Sequence, residues 1–296
     1  MTYSSLYNTL HGYCSGRLPM TQLTVGFLKD YILHLQTIGN KGTKQKMRPC
    51  SNVTISTYLK IMGSVAKSAM QEGLLDYAAN PFTNAEELIK GKKGFRKKQP
   101  LSMEALGKLA EADFSGIKKG KNLTLSRDIY LAQYYMHGSR GGDVLELKVA
   151  DVQDRLRYTM RKNRKGKSIV LTPELMAILD RYMPRKGESR TFVFPVLEED
   201  YLSFNKFTQK SIRDNRKATV NRNLKRIAKL LGLEPFTMHT ARHTFANEAL
   251  KHTDLRTIKA MLNHSSLATT EVYVKDLLEG EDDLATAAIY SRVKLE

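Results

Sequence analysis

Residues 238–273 read MHTARHTFANEALKHTDLRTIKAMLNHSSLATTEVY. His239 and Arg242 stand three apart at the head of an apolar helical run, which puts both on one helical face, a turn from each other. The neighbouring His243 reads as a packing or surface residue pointing elsewhere. His264 sits in Leu262-Asn263-His264-Ser265-Ser266, and Tyr273 follows it by nine residues. Far upstream, the small-residue turn Gly138-Ser139-Arg140-Gly141-Gly142-Asp143 carries a second arginine. Alone, each of these is ordinary: a lone arginine is usually structural, and one tyrosine among 14 is by default a packed aromatic. Together they are the parts needed to attack a phosphodiester. Arginine's planar fork bonds two phosphate oxygens at once and keeps its charge. Histidines handle protons and hydrogen bonds, and a tyrosine hydroxyl can become covalently attached.

The composition fits a polyanionic partner. The 296 residues carry 48 Lys+Arg against 30 Asp+Glu, a formal charge of +18. Residues 1–100 and 101–296 each contribute +9, so the excess is not a basic tail. Nucleic acid gripped through both halves explains that spread, because each neutralised phosphate releases counterions. A merely soluble basic surface is the plainer alternative. The two cysteines, Cys14 and Cys50, lack metal-ligand spacing and read as free thiols of a reducing compartment. No apolar run reaches the length of a membrane span, and the N-terminus lacks a signal-peptide pattern. These features predict a cytoplasmic protein with no membrane partner.

Length allows two domains. Residues 22–37 place Val25, Leu28, Ile32 and Leu35 on one helical face. A polar loop follows, and then a helix capped by Asn52 or Thr54 and running to about Glu72, with Ile55, Leu59, Met62, Ala66 and Met70 as its buried stripe. Gly73 is its stop, and Asn80-Pro81-Phe82 marks a break. The expectation is an all-helical module over 1–88, a basic linker over 89–100 and a second domain over 101–296. The linker's Lys92, Lys93, Arg96, Lys97 and Lys98 are either solvated or laid along a phosphate backbone. Beyond it, Ser102 opens a helix, and Leu123 to His137 reads as a buried one. Residues 156–172 read as a β-hairpin around Asn163-Arg164-Lys165-Gly166. Helices resume over 173–183 and 217–231, with Thr191–Phe194 a short strand candidate between them, and continue from 239.

The constellation resembles the tyrosine recombinases, the phage integrase family, strongly over about 100–275 and more weakly over the N-terminal module. Arg242-His243-Thr244-Phe245-Ala246 follows the family's His-x-x-Arg box. Leu262-Asn263-His264-Ser265-Ser266 differs from the usual Leu-Gly-His-Ser-Ser only by Asn263, the residue type next most tolerant of a left-handed turn. The resemblance implies a mainly α fold with a small β-sheet: an all-helical N-terminal core-binding domain and a mixed α/β, mostly helical catalytic domain ending in a C-terminal exchange helix.

It also implies roles. Arg140 and Arg242 clamp the phosphate, His239 and His264 bond to the same group, and Tyr273 is the nucleophile. A hairpin lysine protonates the leaving 5′ oxygen: Lys162 when Ile169-Val170-Leu171 is aligned with the family's Val-Pro-Leu ending, with Lys165 the fallback and Lys167 a more distant third. Arg164 and Lys165 are also candidates for phosphate contact. Asp143 matches the family's acidic position and orients Arg140 or its helix. Gly141-Gly142 departs from the more apolar residues usual there, so neighbouring packing is expected to fix that helix.

The implied function is site-specific DNA recombination through a 3′-phosphotyrosine intermediate, giving integration, excision, inversion or resolution, without metal or cofactor. The implied partners are double-stranded recombination sites, further copies of the chain (a dimer per site, a tetramer in synapsis through the C-terminal helix) and accessory DNA-bending proteins. A bacterial or mobile-element origin and nucleoid association come with it. A catalytically inactive DNA-binding relative with a regulatory role and a relaxing topoisomerase are the competing readings. A metal-dependent nuclease is disfavoured by the lack of carboxylate pairs in the motif region.

Overall fold

The computed structural model describes residues 3–41, 47–76, 80–89, 99–264, 266 and 270. The chain divides into two compact units, Met1–Lys97 and Lys98–Glu296.

The first unit is built on three helices: α1 (Tyr3–Tyr13), α2 (Val25–Thr37) and α3 (Asn52–Gln71). α2 starts where the Thr24 side chain accepts the Phe27 amide, and it buries Leu28, Tyr31, Ile32 and Leu35. Val25, expected on that stripe, is 45% exposed, because it occupies the first turn, outside the packed length of the helix. α3 buries the expected Ile55, Leu59, Met62, Ala66 and Met70, and adds Tyr58 and Ala69. Its cap is Ser51, not Asn52 or Thr54, and the Ser51 hydroxyl accepts from the Thr54 amide. Gly73 ends the helix with φ +72°. The Asn80 side chain takes the Phe82 amide in a turn, as the Asn-Pro break requires. α1 has no counterpart among the expected helices, and it buries only Leu6 and Thr9. The loop after α2 is closed by a two-residue antiparallel pair, β1 (Asn40–Lys41) with β2 (Met47–Arg48).

The second unit opens at the Ser102 cap with α4 (Met103–Glu111). α5 (Gly120–Tyr135) is the central helix, packed against α7 (Pro173–Asp180), α8 (Lys206–Leu230) and α9 (Met238–Leu250). Burial on all sides is why its hydrophobic residues show no single stripe. Its buried charge is matched: fully buried Asp128 accepts Arg127 Nε at 2.7 Å, Arg181 Nη1 at 3.0 Å and the Tyr182 hydroxyl at 2.8 Å. The short helix α6 (Gly141–Leu145) follows, then the hairpin of β3 (Leu156–Thr159) and β4 (Gly166–Ile169), with Tyr158 directly opposite Lys167. α10 (Leu255–Leu262) ends the described helices.

Two expectations fail here. Thr191–Phe194 is not a strand: it makes only an isolated bridge, Lys148 to Phe192, with Val149 N–H to Thr191 O and Val193 N–H to Leu147 O beside it. Its burial lets side chains anchor it without a ladder. α8 starts at Lys206 and not near 217, since its N-terminal half is nearly all polar and shows no apolar period. An Asn205 cap accepting the Phe207 and Thr208 amides marks its true start.

Candidate active site

The second unit holds a cleft of about 710 Å³ whose lining includes Arg140, Lys162, His239, Arg242 and His264. Five of the six expected reacting residues therefore meet in one place, delivered by the α5–α6 turn, the hairpin, α9 and the segment after α10. The sixth, Tyr273, lies outside the described residues, as do Lys92, Lys93, Arg96, Lys97, Lys98 and the C-terminal segment read as an exchange helix.

Arg242 is 4% exposed. Its Nη1 donates to Gly138 O at 2.9 Å and its Nη2 to Leu262 O at 2.6 Å. The guanidinium thus clasps the Arg140 turn on one side and the end of α10 on the other. Gly138 permits the approach: with φ +58°, a Cβ there would lie 2.9 Å from Arg242 Cα. Arg140 is half-buried, and its Nη1 has no hydrogen-bond partner among the described residues. Such an orphaned cationic donor in a cleft suits an incoming anion.

Asp143 bonds the hairpin: its Oδ1 accepts the Arg161 backbone N–H at 3.1 Å. Burial raises its pKa, opposed by the Arg161 N–H and the Arg140 charge. The glycine pair beside it is packed as expected, for a Cβ on Gly141 would meet Met238 Cε at 2.9 Å and one on Gly142 would meet Arg213 Cδ at 3.2 Å.

The His264 Nδ1 and the Thr270 hydroxyl are 3.0 Å apart. Burial, then the charges of Arg242, Arg140 and Lys162, push the ring down to about 4, so it is neutral near pH 7. Asn263 before it adopts the left-handed conformation, φ 51° and ψ 52°, in which the family's glycine is easily accommodated. Its Oδ1 accepts from Asn163 Nδ2 of the hairpin turn at 3.4 Å.

His239 is exposed at the cleft, and His243, outside the cleft lining, is the packing residue expected but packs on His239 and does not point elsewhere. The two rings lie 4.8 Å apart, edge to face, because residues i and i+4 share a helical face. Of the hairpin lysines, Lys162 lines the cleft. Lys165 and Arg164 are exposed and outside that lining. Lys167 turns inward and donates to Met136 O and Ser139 Oγ, each at 3.0 Å.

The sequence did not announce the contribution of α8. Arg213, Lys217 and Asn221 line the cleft from it. Arg213 Nη1 also pairs with Glu146 Oε1 at 3.0 Å, and Arg161 bonds both oxygens of that carboxylate at 2.8 and 3.0 Å. The only signal was the helix's density of basic residues.

Residues 116–279 match the profile of the phage integrase family, and residues 1–87 that of the phage integrase SAM-like domain. The chain is similar to the tyrosine recombinase XerC of Thermodesulfovibrio yellowstonii, 28% identical over 249 residues that span 81% of this chain and 78% of that protein. It is also similar to the tyrosine recombinase XerD of Listeria innocua, 31% identical over 144 residues, 47% of this chain and 46% of that one. The match thus spans about half the length of the XerD relative. Among solved structures, the fold is similar to the Tn1549 transposon integrase in complex with a circular intermediate DNA. That pair has a TM-score of 0.66 and 15% identity over 91% of this chain and 87% of the other. The XerH site-specific recombinase bound to its palindromic difH substrate is comparable, with a TM-score of 0.64 and 17% identity over 98% and 79%.

Proposed function

This chain belongs to the phage integrase family of tyrosine recombinases, and we propose that it is a site-specific DNA recombinase that cuts and rejoins strands through a 3′-phosphotyrosine intermediate. The observation that carries this reading is the single cleft lined by Arg140, Arg242, Lys162, His239 and His264. Two guanidiniums, one carrying a buried Nη1 with no partner among the described residues, offer preorganised charge for the non-bridging oxygens of a phosphate.

In this mechanism the Tyr273 hydroxyl attacks the scissile phosphate, with Arg140 and Arg242 holding the charge that develops. His239 at the rim and neutral His264 bond to the same group. Lys162 gives its proton to the departing 5′ oxygen as the P–O5′ bond breaks and the P–O(Tyr) bond forms, and the proton of the tyrosine hydroxyl passes to a neutral histidine of the cleft. A 5′ hydroxyl of a partner strand then attacks the phosphotyrosine, restoring the tyrosine and closing the exchanged strand. The phosphodiester energy is conserved, so no ATP is needed, and the two guanidiniums supply the charge stabilisation that a metal would otherwise give.

The N-terminal unit acts as a core-type DNA-binding module, and the charge carried by both halves of the chain supports its share in gripping DNA. The working assembly is a dimer per site and a tetramer in synapsis, with the segment beyond Tyr273 as the exchanged element.

The test is covalent trapping on a nicked duplex from the protein's genomic neighbourhood, run in EDTA beside Tyr273→Phe and Arg140→Ala. An adduct in wild type that is lost in Tyr273→Phe supports the reading. DNA binding with no adduct on a cognate site favours the inactive DNA-binding relative, and an adduct that survives Tyr273→Phe assigns the nucleophile to another tyrosine.

A further inference from the structure

The turn that delivers Arg140 is fastened from beneath by groups to which the mechanism above gives no role. After α5 the chain passes through two left-handed residues, His137 (φ 54°) and Gly138 (φ 58°), before reaching Ser139 and Arg140. A non-glycine residue in that region is held there by its surroundings. The surroundings here are side chains that take up the turn's carbonyls. Met136 O accepts from Lys167 Nζ at 3.0 Å and from the Ser139 hydroxyl at 2.5 Å. Gly138 O accepts from Arg242, and Ser139 O accepts from Gln133 Nε2 at 2.6 Å. With its proton given to Met136 O, Ser139 Oγ accepts from the Tyr158 hydroxyl at 2.5 Å and from Lys167 Nζ at 3.0 Å. Tyr158 and Lys167 are directly opposed across the hairpin, so one cross-strand pair reaches under the arginine turn.

We propose that Lys167 is a positioning residue: with Tyr158 and Ser139 it pins the 136–139 turn, sets Arg140 at the phosphate site and couples that arginine to the hairpin carrying Lys162. The inference rests on the recombinase reading of the cleft.

Two further observations support it. Lys162, not Lys167, lines the cleft, and the Lys167 amine is spent on Met136 and Ser139, which suits a pin rather than a proton donor to DNA. Holding an amine there also works against folding. Burial, then the charges of Arg242 and Arg140, lower its pKa to about 7, with Asp143 opposing. The other titratable groups facing it are Tyr158 and His137, whose ring is itself pushed down to about 4 by burial and the Lys167 charge. As pH falls from the ordinary lysine range to about 7, the unfolded chain takes up a proton that the folded chain lacks, and stability falls. Lys167→Met removes the amine together with its burial cost, and Met136 O keeps the Ser139 hydroxyl, so the variant is expected to stay folded.

The test compares full-length wild type, Lys167→Met and Lys162→Met in single-turnover cleavage of three duplexes of one sequence. One has the native scissile phosphate. One has a 5′-bridging phosphorothiolate, whose sulfur leaves without a proton. One has a methylphosphonate, which removes the non-bridging charge that the arginines offset. Lys167→Met is expected to slow native cleavage about 10- to 100-fold at unchanged DNA affinity, the usual cost of losing an orienting neighbour. The methylphosphonate should restore its rate towards wild type and the phosphorothiolate should not; Lys162→Met should behave the opposite way. Rescue of Lys167→Met by the phosphorothiolate would make Lys167 the acid and overturn the proposal, as would equal losses on all three duplexes or no loss at all. If wild type itself fails to cleave, the recombinase reading fails. Hydrogen exchange over residues 134–142 then decides the pin alone: faster exchange confined to that turn in Lys167→Met supports it, and unchanged exchange overturns it.

Discussion

Asp143 Oδ1 accepts the backbone N–H of Arg161 at 3.1 Å, which ties the helix opened by Arg140 to the residue just before Lys162. The acidic residue thus sets the spacing between a phosphate clamp and a proton donor that are far apart in sequence. Asp143→Ala is expected to slow cleavage about 10- to 100-fold with little change in DNA affinity. It leaves the Arg161 N–H without its acceptor, which costs about 1–3 kcal/mol. Single-turnover rates and urea unfolding check the two effects separately.

The two arginines should fail differently. Arg140→Ala removes a cation whose Nη1 bonds nothing among the described residues, so cleavage should drop roughly 10²- to 10³-fold at a near-wild-type Tm. Arg242→Ala also strips partners from Gly138 O and Leu262 O, so it should lose about 2–3 kcal/mol of stability as well. Equal Tm values for the two variants would contradict the clasp.

Gly138→Ala tests the packing of the turn. The left-handed φ penalises any side chain, and the new Cβ would meet Arg242 Cα at 2.9 Å, backbone that cannot swing away. The expected destabilisation is at least about 1 kcal/mol, with cleavage reduced because both arginines shift. A variant with wild-type stability and rate would show the turn to be slack.

Asn263 offers a substitution that should be tolerated. Its backbone is left-handed, so Asn263→Gly is expected to be neutral or slightly stabilising, whereas Asn263→Val should cost about 1–2 kcal/mol. Thermal melts of the pair are sufficient.

Acid should weaken the fold through its buried histidines. The His264 ring, ordinarily protonated near 6.5, takes up a proton in the folded chain only near 4. As pH falls through that window, the unfolded state binds a proton that the folded state does not, and stability declines. His137 acts in the same direction. The urea midpoint should fall between about pH 7 and pH 5, with a shallower slope in His264→Asn. A midpoint independent of pH would mean that neither ring is held neutral.

Local rules made much of this protein legible. The period of Ile55, Leu59, Met62, Ala66 and Met70, the Ser102 cap, the Gly73 stop, the hairpin and the left-handed tolerance at Asn263 follow from nearest-neighbour sterics and the helical repeat, which a linear string displays. The order and spacing of Arg140, His239, Arg242 and His264 were likewise visible, because each lies in a short motif. What depended on distance through space was not. α8 begins in a polar stretch with no period to read. Where the hairpin lysines lie was not legible either: Lys162, in the turn, lines the cleft, while Lys167, on β4, points inward to Met136 and Ser139. Residue types and spacings are properties of the chain, and the sequence alone determined them. Which carbonyl a buried amine meets depends on how separate elements pack, and only the tertiary structure decided that.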